Sequence, residues 1–374
     1  MKTILLLVPS LGIGGQEKIA INTVQCLKDE YYVKLVVFQK KEVEYEAPCE
    51  VINLHIPTKG GVIAKILNQV KRIFKVIKLR KKLKVDVSIS FGNTANITNS
   101  LSGIFSPGRS ISAVHGFAEV KKSVSMRGIL RFSDSVVCIA KSMQEQLLKL
   151  FPKAKNTLVI ENGYEIQSVI ERAKATVDLQ VKSPTIVSMG RMEEVKGFDR
   201  LIKAFSIAHK ERADINLMLV GQGTLYEELK KLARQENIED SVFFAGYQSN
   251  PHAYLKQADI YVLSSRNEGF PNALIEALCC ELPIIAVDCQ SGPREILSES
   301  YNSIRTQGVV KEKYGVLVEE APSEEQIVEY LAQAILLLIN DTESMKKYQK
   351  IGIERANQFN NDVYKRKIIS LIER

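Results

Sequence analysis

Short apolar, β-branched runs recur along this chain, separated by longer stretches in which apolar residues return every three or four positions. The runs fit strands buried on both faces, and the stretches fit amphipathic helices. In the first half the strand candidates are TILLLV from Thr3, YVKLVVF from Tyr32, VDVSISF from Val85, SISAVH from Ser110 and SVVCIA from Ser135. In the second half they are TIVSMG from Thr185, INLMLVG from Ile215, VFFAG from Val242, DIYVLSS from Asp259 and PIIAVD from Pro283. Alternation of this kind builds parallel sheets with helices on both sides. The weakly patterned residues 164–184 divide two such series. The chain therefore reads as α/β, with two Rossmann-like, doubly wound parallel-sheet domains, residues 1–165 and 183–355. Such sheets bind ligands at the carboxyl ends of their strands, so two facing sheets predict an interdomain cleft.

One helical stretch stands apart, GGVIAKILNQVKRIFKVIKLRKKLKVD from Gly60. Ile63, Ile66, Leu67, Val70, Ile73, Phe74 and Ile77 fall on one face at helical spacing. Nine Lys/Arg and no acid occur from Lys65 to Lys84. Two readings stay open: the apolar face packs on its own sheet, or the helix presents cations and apolar residues to anionic lipid. Nucleic acid would tolerate the charges, but no nucleic-acid module or interleaved aromatic residues accompany them, so it is not expected as a partner.

Charge sharpens the division into halves. Residues 1–160 hold 25 Lys/Arg against 11 Asp/Glu, and the remainder 26 against 32, giving +14 and −6 and the total of +8. A basic first half points to an anionic surface. No apolar run is long enough to span a membrane, and MKTILLLVPS reads as a first buried strand rather than a signal peptide. The six cysteines show neither CxxC spacing nor histidine partners, which suits small core residues in a reducing, cytoplasmic setting.

Chemistry concentrates after strand ends in the second half. In VSMGRMEEVKGFDRLIKAF a strand runs into Gly190 and Arg191, then a loop with Lys196 and Gly197, then a helix. Two cations five positions apart on such a loop can converge on a phosphate, and a helix start favours the same charge. In NEGFPNALIEALCCELP, Gly269 and Pro271 suit a turn opening a helix, with Pro271 near its first position. Glu268 then precedes the helix and Glu276 lies about one turn inside it. Amides near Asn272 and Ala273 offer donors to a phosphate, and the two carboxylates offer acceptors to hydroxyl groups. Two acids beside a diphosphate would repel it unless Arg191 and Lys196 balance them.

Three further places are weaker. PSLGIGGQEKIA places Gly12, Gly14 and Gly15 after the first strand, close to a dinucleotide-binding loop, but Glu17 stands where a third glycine belongs. His115 follows a strand end and precedes Gly116, which allows a ligand-facing or a structural role. Gly292-Pro293 with Arg294 and Glu295 opens another helix after PIIAVD, and structural and binding roles are equally open there.

Together these segments resemble the retaining nucleotide-sugar-dependent glycosyltransferases of family 4, with the GT-B fold. The resemblance rests on GIGGQEK, GRMEEVKGFDRLIKAF, VGQGTLYEELKKLA, FAGYQSN, SSRNEGFPNALIEALCCELPIIAVDCQSGPREIL and YGVLVE, in that order, from residue 9 to about 320. It implies that Arg191 and Lys196 neutralise the donor diphosphate, that Glu276 holds the ribose, and that Glu268 with His115 contacts the donor sugar. It further implies that Gly269, Phe270, Asn272 and Ala273 line the sugar and phosphate, and that Gly246 and Tyr247 meet the base. Gly14 and Gly15 would close on the phosphates from the opposite domain, and a last helix, about 356–374, would cross back onto the first domain. Glu161 stands where a proline is usual and Glu281 where a glycine is usual. No DxD-type acidic cluster stands at a strand end, so neither metal nor cofactor is called for beyond the donor, expected to be a UDP-hexose or UDP-N-acetylhexosamine. The basic first domain suggests a glycan or lipid-linked oligosaccharide acceptor of surface-polysaccharide or lipopolysaccharide synthesis, met at the inner face of the plasma membrane. A sugar-nucleotide epimerase or phosphorylase of related fold, or a silent membrane-bound binding protein, are the alternatives. A silent protein would be free to lose Arg191, Lys196, Glu268 or Glu276, and all four are present.

Overall fold

The computed structural model describes residues 1–12, 14–41, 45–58, 60–121, 123–177, 183–301 and 304–374. The chain divides into two compact units, Met1–Tyr164 with Asn361–Arg374, and Glu165–Asn360.

The first unit holds seven strands: β1 Thr3–Val8, β2 Tyr32–Val37, β3 Glu50–Asn53, β4 Val87–Phe91, β5 Arg109–Val114, β6 Ser135–Cys138 and β7 Thr157–Val159. They lie in the order β3-β2-β1-β4-β5-β6-β7, and every pairing is parallel. The central strand β1 shows why its sequence is apolar throughout. Ile4, Leu6 and Val8 enter the core under helix α1, Gly15–Leu27, while Leu5 and Leu7 enter the core on the other face. That second face is covered by α2, Val62–Leu83, and α3, Asn93–Ile104. The helix Asn361–Glu373 joins the first face, where Tyr364, Ile368, Leu371 and Ile372 are buried with Ile4, Leu6 and Val24. Tyr364 Oη lies 2.7 Å from Thr23 Oγ1, and Asn22 Nδ2 donates to Asn361 Oδ1 at 2.7 Å.

The second unit also holds seven strands: β8 Thr185–Met189, β9 Asn216–Val220, β10 Val242–Gly246, β11 Ile260–Leu263, β12 Ile284–Val287, β13 Val309–Lys311 and β14 Val316–Val318. Their order is β10-β9-β8-β11-β12-β14-β13, parallel except for β13, which pairs antiparallel with β14. All ten strand candidates read from the pattern are strands. Four others, β3, β7, β13 and β14, escape it, and three of these are sheet edges of three or four residues. Edge strands are short and half exposed, so they leave no continuous apolar run.

Among the described residues no helix is long and apolar enough to cross a membrane. All six cysteines are free thiols; five are buried and Cys49 is half-buried.

Candidate active site

In the second unit, two loops at the carboxyl ends of neighbouring strands are joined into one structure. After β8 the chain passes Gly190 and Arg191, makes a 3₁₀ turn over Glu194–Lys196, and enters the helix Phe198–Glu211 through Gly197. Gly197 has φ +64°, and a Cβ there would sit 2.2 Å from the Ser264 carbonyl oxygen. Only glycine combines that conformation with that approach. Across the gap, the Arg266 amide donates to Val195 O at 2.9 Å and Ser264 Oγ to Lys196 O at 3.2 Å. The Arg266 guanidinium forks onto Asp199 at 2.8 and 2.7 Å, reaches Glu324 at 3.2 Å, and donates to Glu194 O at 2.8 Å. Its own pKa is raised, chiefly by the Asp199 carboxylate.

This scaffold places Lys196 Nζ 2.7 Å from Glu268 Oε1, which also accepts from Ser265 Oγ at 2.7 Å. Both members of the ion pair are largely buried. The helix that follows spans Asn272–Cys279, with Pro271 as the residue before its first turn and no side-chain cap. Pro271 thus stands one position earlier than the sequence suggested, and the first amides of such a helix have no acceptor within it. Phe270 is buried edge-on against Phe359, ring centroids 5.2 Å apart. Ser291 Oγ donates to Gly269 O at 2.6 Å, and a Cβ on Gly292, φ +94°, would lie 2.3 Å from Pro271 Cδ. The Gly292-Pro293 corner therefore props the Gly269–Pro271 corner. Arg294 is taken up structurally: it holds the buried Asp288 at 2.5 and 3.1 Å.

Glu276 is buried inside the Asn272–Cys279 helix, with His252 Nε2 3.7 Å from its Oε1. Gly246, φ +67°, ends β10 and accepts from the Gly221 amide at 2.8 Å; the Tyr247 ring beyond it is exposed. Arg191 is not drawn to Lys196: its side chain is 72% exposed and pairs with Glu193 at 3.0 Å. Ser265, Arg266 and His252 were missed from the sequence. Ser265 and Arg266 belong to SSRNEGFPN but look like ordinary loop residues, and no spacing links His252 to Glu276.

In the first unit Gly14 precedes α1 and Gly15 is its first residue. Gln16, next in line, donates to Glu119 Oε1 at 3.1 Å, and the His115 amide donates to the same oxygen at 3.4 Å. Gly92 follows β4 with φ +86°, and a Cβ there would lie 2.8 Å from Gln16 Oε1. The His115 ring lies 5.5 Å from Phe91, its Nε2 has no hydrogen-bond partner, and burial pushes its pKa down to about 4. Glu119, four residues after His115, was not singled out from sequence; its position in HGFAE is the only trace.

Two seven-stranded α/β sheets with paired loops at their strand ends define the GT-B-like architecture. It is shared with an Anabaena protein, HepE, solved in complex with UDP-glucose, at TM-score 0.76 and 19% identity over 100% of both chains. The family of glycosyl transferases group 1 matches residues 169–355, half of the chain, and the chain belongs to that family. It is a glycosyltransferase that uses a nucleotide sugar. It is also similar to an N-acetylgalactosaminyltransferase of Campylobacter jejuni that acts on N-acetylgalactosamine-N,N'-diacetylbacillosaminyl-diphospho-undecaprenol, 25% identical over 94% of this chain and 93% of the relative. An uncharacterised glycosyltransferase of Methanocaldococcus jannaschii is 27% identical over 77% and 79%.

Proposed function

We propose that the chain is a retaining transferase that moves a hexose or N-acetylhexosamine from UDP to a glycan or lipid-linked acceptor in surface-polysaccharide synthesis. The observation that carries the reading is the Lys196–Glu268 ion pair, held at the strand ends beside the open start of the Asn272–Cys279 helix. A cation, a hydroxyl-accepting carboxylate and a helix start in one place suit the junction of a diphosphate and a sugar. Lys196 serves the diphosphate, and Arg191 exchanges Glu193 for it. Glu268 takes sugar hydroxyls, Glu276 the ribose, and the Gly246–Tyr247 turn the base. Gly269, Phe270, Asn272 and Ala273 shape the sugar–phosphate wall. Gly14 and Gly15 serve the donor phosphates and His115 the donor sugar, while the rest of the first unit's strand ends serve the acceptor. UDP as carrier is supported by the Anabaena neighbour's complex, and a lipid-linked acceptor by the Campylobacter relative's name. The net +14 of residues 1–160 supports an anionic membrane surface on the cytoplasmic side as partner.

In the transfer, the bond between the anomeric carbon and the β-phosphate oxygen breaks and the acceptor oxygen bonds to that carbon. The bonding electrons leave with UDP, and the acceptor proton passes to the departing phosphate. Lys196, Arg191 and the helix start stabilise the charge that develops there, without requiring a metal. The test is a thermal-stabilisation panel of UDP, GDP and their sugars. UDP compounds should raise the melting temperature by mass action, and a response confined to GDP compounds, or none, overturns the donor assignment.

A further inference from the structure

Helix α2 is only partly used by the core. Every residue from Val62 to Leu67 is exposed, so its first turns stand clear of the sheet. Val62, Ile63, Ile66, Leu67, Val70 and Phe74 are between 43 and 76% exposed. At ~100° per residue they fall within about 140° of the helix circumference, so they form one apolar face. Scattered exposed apolar residues need no explanation, but a continuous face of six does. Ile66 and Val70 also wall a groove of ≈ 380 Å³ against α3, continued by Ile73 and Leu101, which extends the apolar surface.

The charged residues of α2 sort by side. Arg72 and Arg80 point inward: Arg72 donates to Pro57 O at 3.2 Å, and Arg80 to Gly108 O at 2.6 Å and Ser110 Oγ at 3.0 Å. Lys75 also reaches back, donating to Leu54 O at 2.7 Å. Lys71, Lys78 and Lys82 are exposed within roughly the next 60° beyond the apolar face, and exposed Lys81 continues that face about two turns past Phe74. No acid lies on the helix to neutralise them. Nucleic acid would match the cations and leave the apolar face in water. A protein groove would match the apolar face and would need an acidic border along the whole length. A bilayer with anionic headgroups complements both at once.

Topology says what such an anchor would present. The strands run parallel, and α2 lies between β3 and β4, so it starts at the carboxyl edge of the sheet. Gly14 after β1 and His115 after β5 lie at that same edge. We propose that α2 seats its exposed apolar face in the headgroup region of an anionic bilayer, with Lys71, Lys78 and Lys82 on lipid phosphates. The strand ends of the first unit then meet acceptors embedded in that bilayer. This deepens the acceptor assignment above and rests on it.

The chain contains no tryptophan, so Phe74→Trp gives a single fluorescent reporter on the proposed face. The full chain carrying it should float with vesicles of phosphatidylglycerol and phosphatidylethanolamine, and its emission should shift to the blue. Neither should occur with phosphatidylcholine alone, and high salt should weaken the binding. Adding Ile66→Asp and Leu67→Asp should lower vesicle affinity by about tenfold or more and remove the shift. Flotation without a shift, or equal flotation of the Asp variant, overturns insertion. An equal shift on polyphosphate or RNA overturns the membrane as partner. Stabilisation by UDP, read in parallel, should be the same in all variants. Its absence throughout overturns the donor assignment, whereas loss of flotation alone overturns only the anchor.

Discussion

Lys196 and Glu268 neutralise each other across 2.7 Å, so an arriving diphosphate must compete for a cation already engaged. The exchange favours the ligand only if the carboxylate gains sugar hydroxyls when it loses the ammonium, and this couples the two ends of the donor. Lys196→Ala should therefore lower kcat by ~10²–10³ while the melting curve stays cooperative. Nucleotide release measured beside circular dichroism checks it, and wild-type turnover in a folded variant sinks the role. His115 gives a second test. Burial holds its imidazole near a pKa of about 4, against ~6.5 in an unfolded chain. The folded state thus favours the neutral ring. The stabilisation is whole above pH ~6.5 and is lost as pH falls toward about 4, up to ~3 kcal/mol in all. Urea midpoints should fall through that window, and His115→Gln should flatten the decline; parallel curves would contradict it. Residue types were readable in the sequence because loop cations and paired acids are unusual together. Their partners were not: Arg191 turning to Glu193, or Arg266 bolting two loops, depends on rotamers and on strand order.

At the scale of elements, the β8 and β11 loops work as one piece because backbone meets backbone. Gly197 is the tightest point of that seam, 2.2 Å from the Ser264 carbonyl oxygen if it carried a Cβ. Neither loop can yield alone, since Arg266 and Ser264 tie them. Gly197→Ala should cost ~1–3 kcal/mol in urea unfolding and raise the donor KM, by moving Lys196 relative to Glu268. An unchanged KM with lowered stability would show that the seam supports folding only. Central strands were legible because burial on both faces leaves an unmistakable apolar run. Thr157–Val159 and Val309–Lys311 were not, since an edge strand is defined by what it pairs with more than by its own side chains. Helix α2 was legible as amphipathic, yet the period could not say whether its apolar face met the sheet or water.

For the whole molecule, the closing helix raises a different kind of question. The pattern of Asn361–Glu373 marks one apolar face but carries no address for it. The address lies in side-chain pairs far apart in sequence, Tyr364 with Thr23 and Asn361 with Asn22. Ile368 sits in the same core as Ile4, Leu6 and Val24. Ile368→Asp would put a carboxylate there with no cation beside it, a change that costs several kcal/mol and so much of a typical domain's stability. The loss should fall on the first unit, whose core contains the residue. The second unit keeps Lys196, Glu268 and the Asn272–Cys279 helix, none of which belongs to this core. Calorimetry of the variant should show an early transition that UDP leaves in place. A later transition should move upward with UDP, by ~2.7 kcal/mol at a hundred times its dissociation constant. A single transition moved as a whole by UDP would mean that the two units melt together and that nucleotide binding cannot be assigned to the second alone.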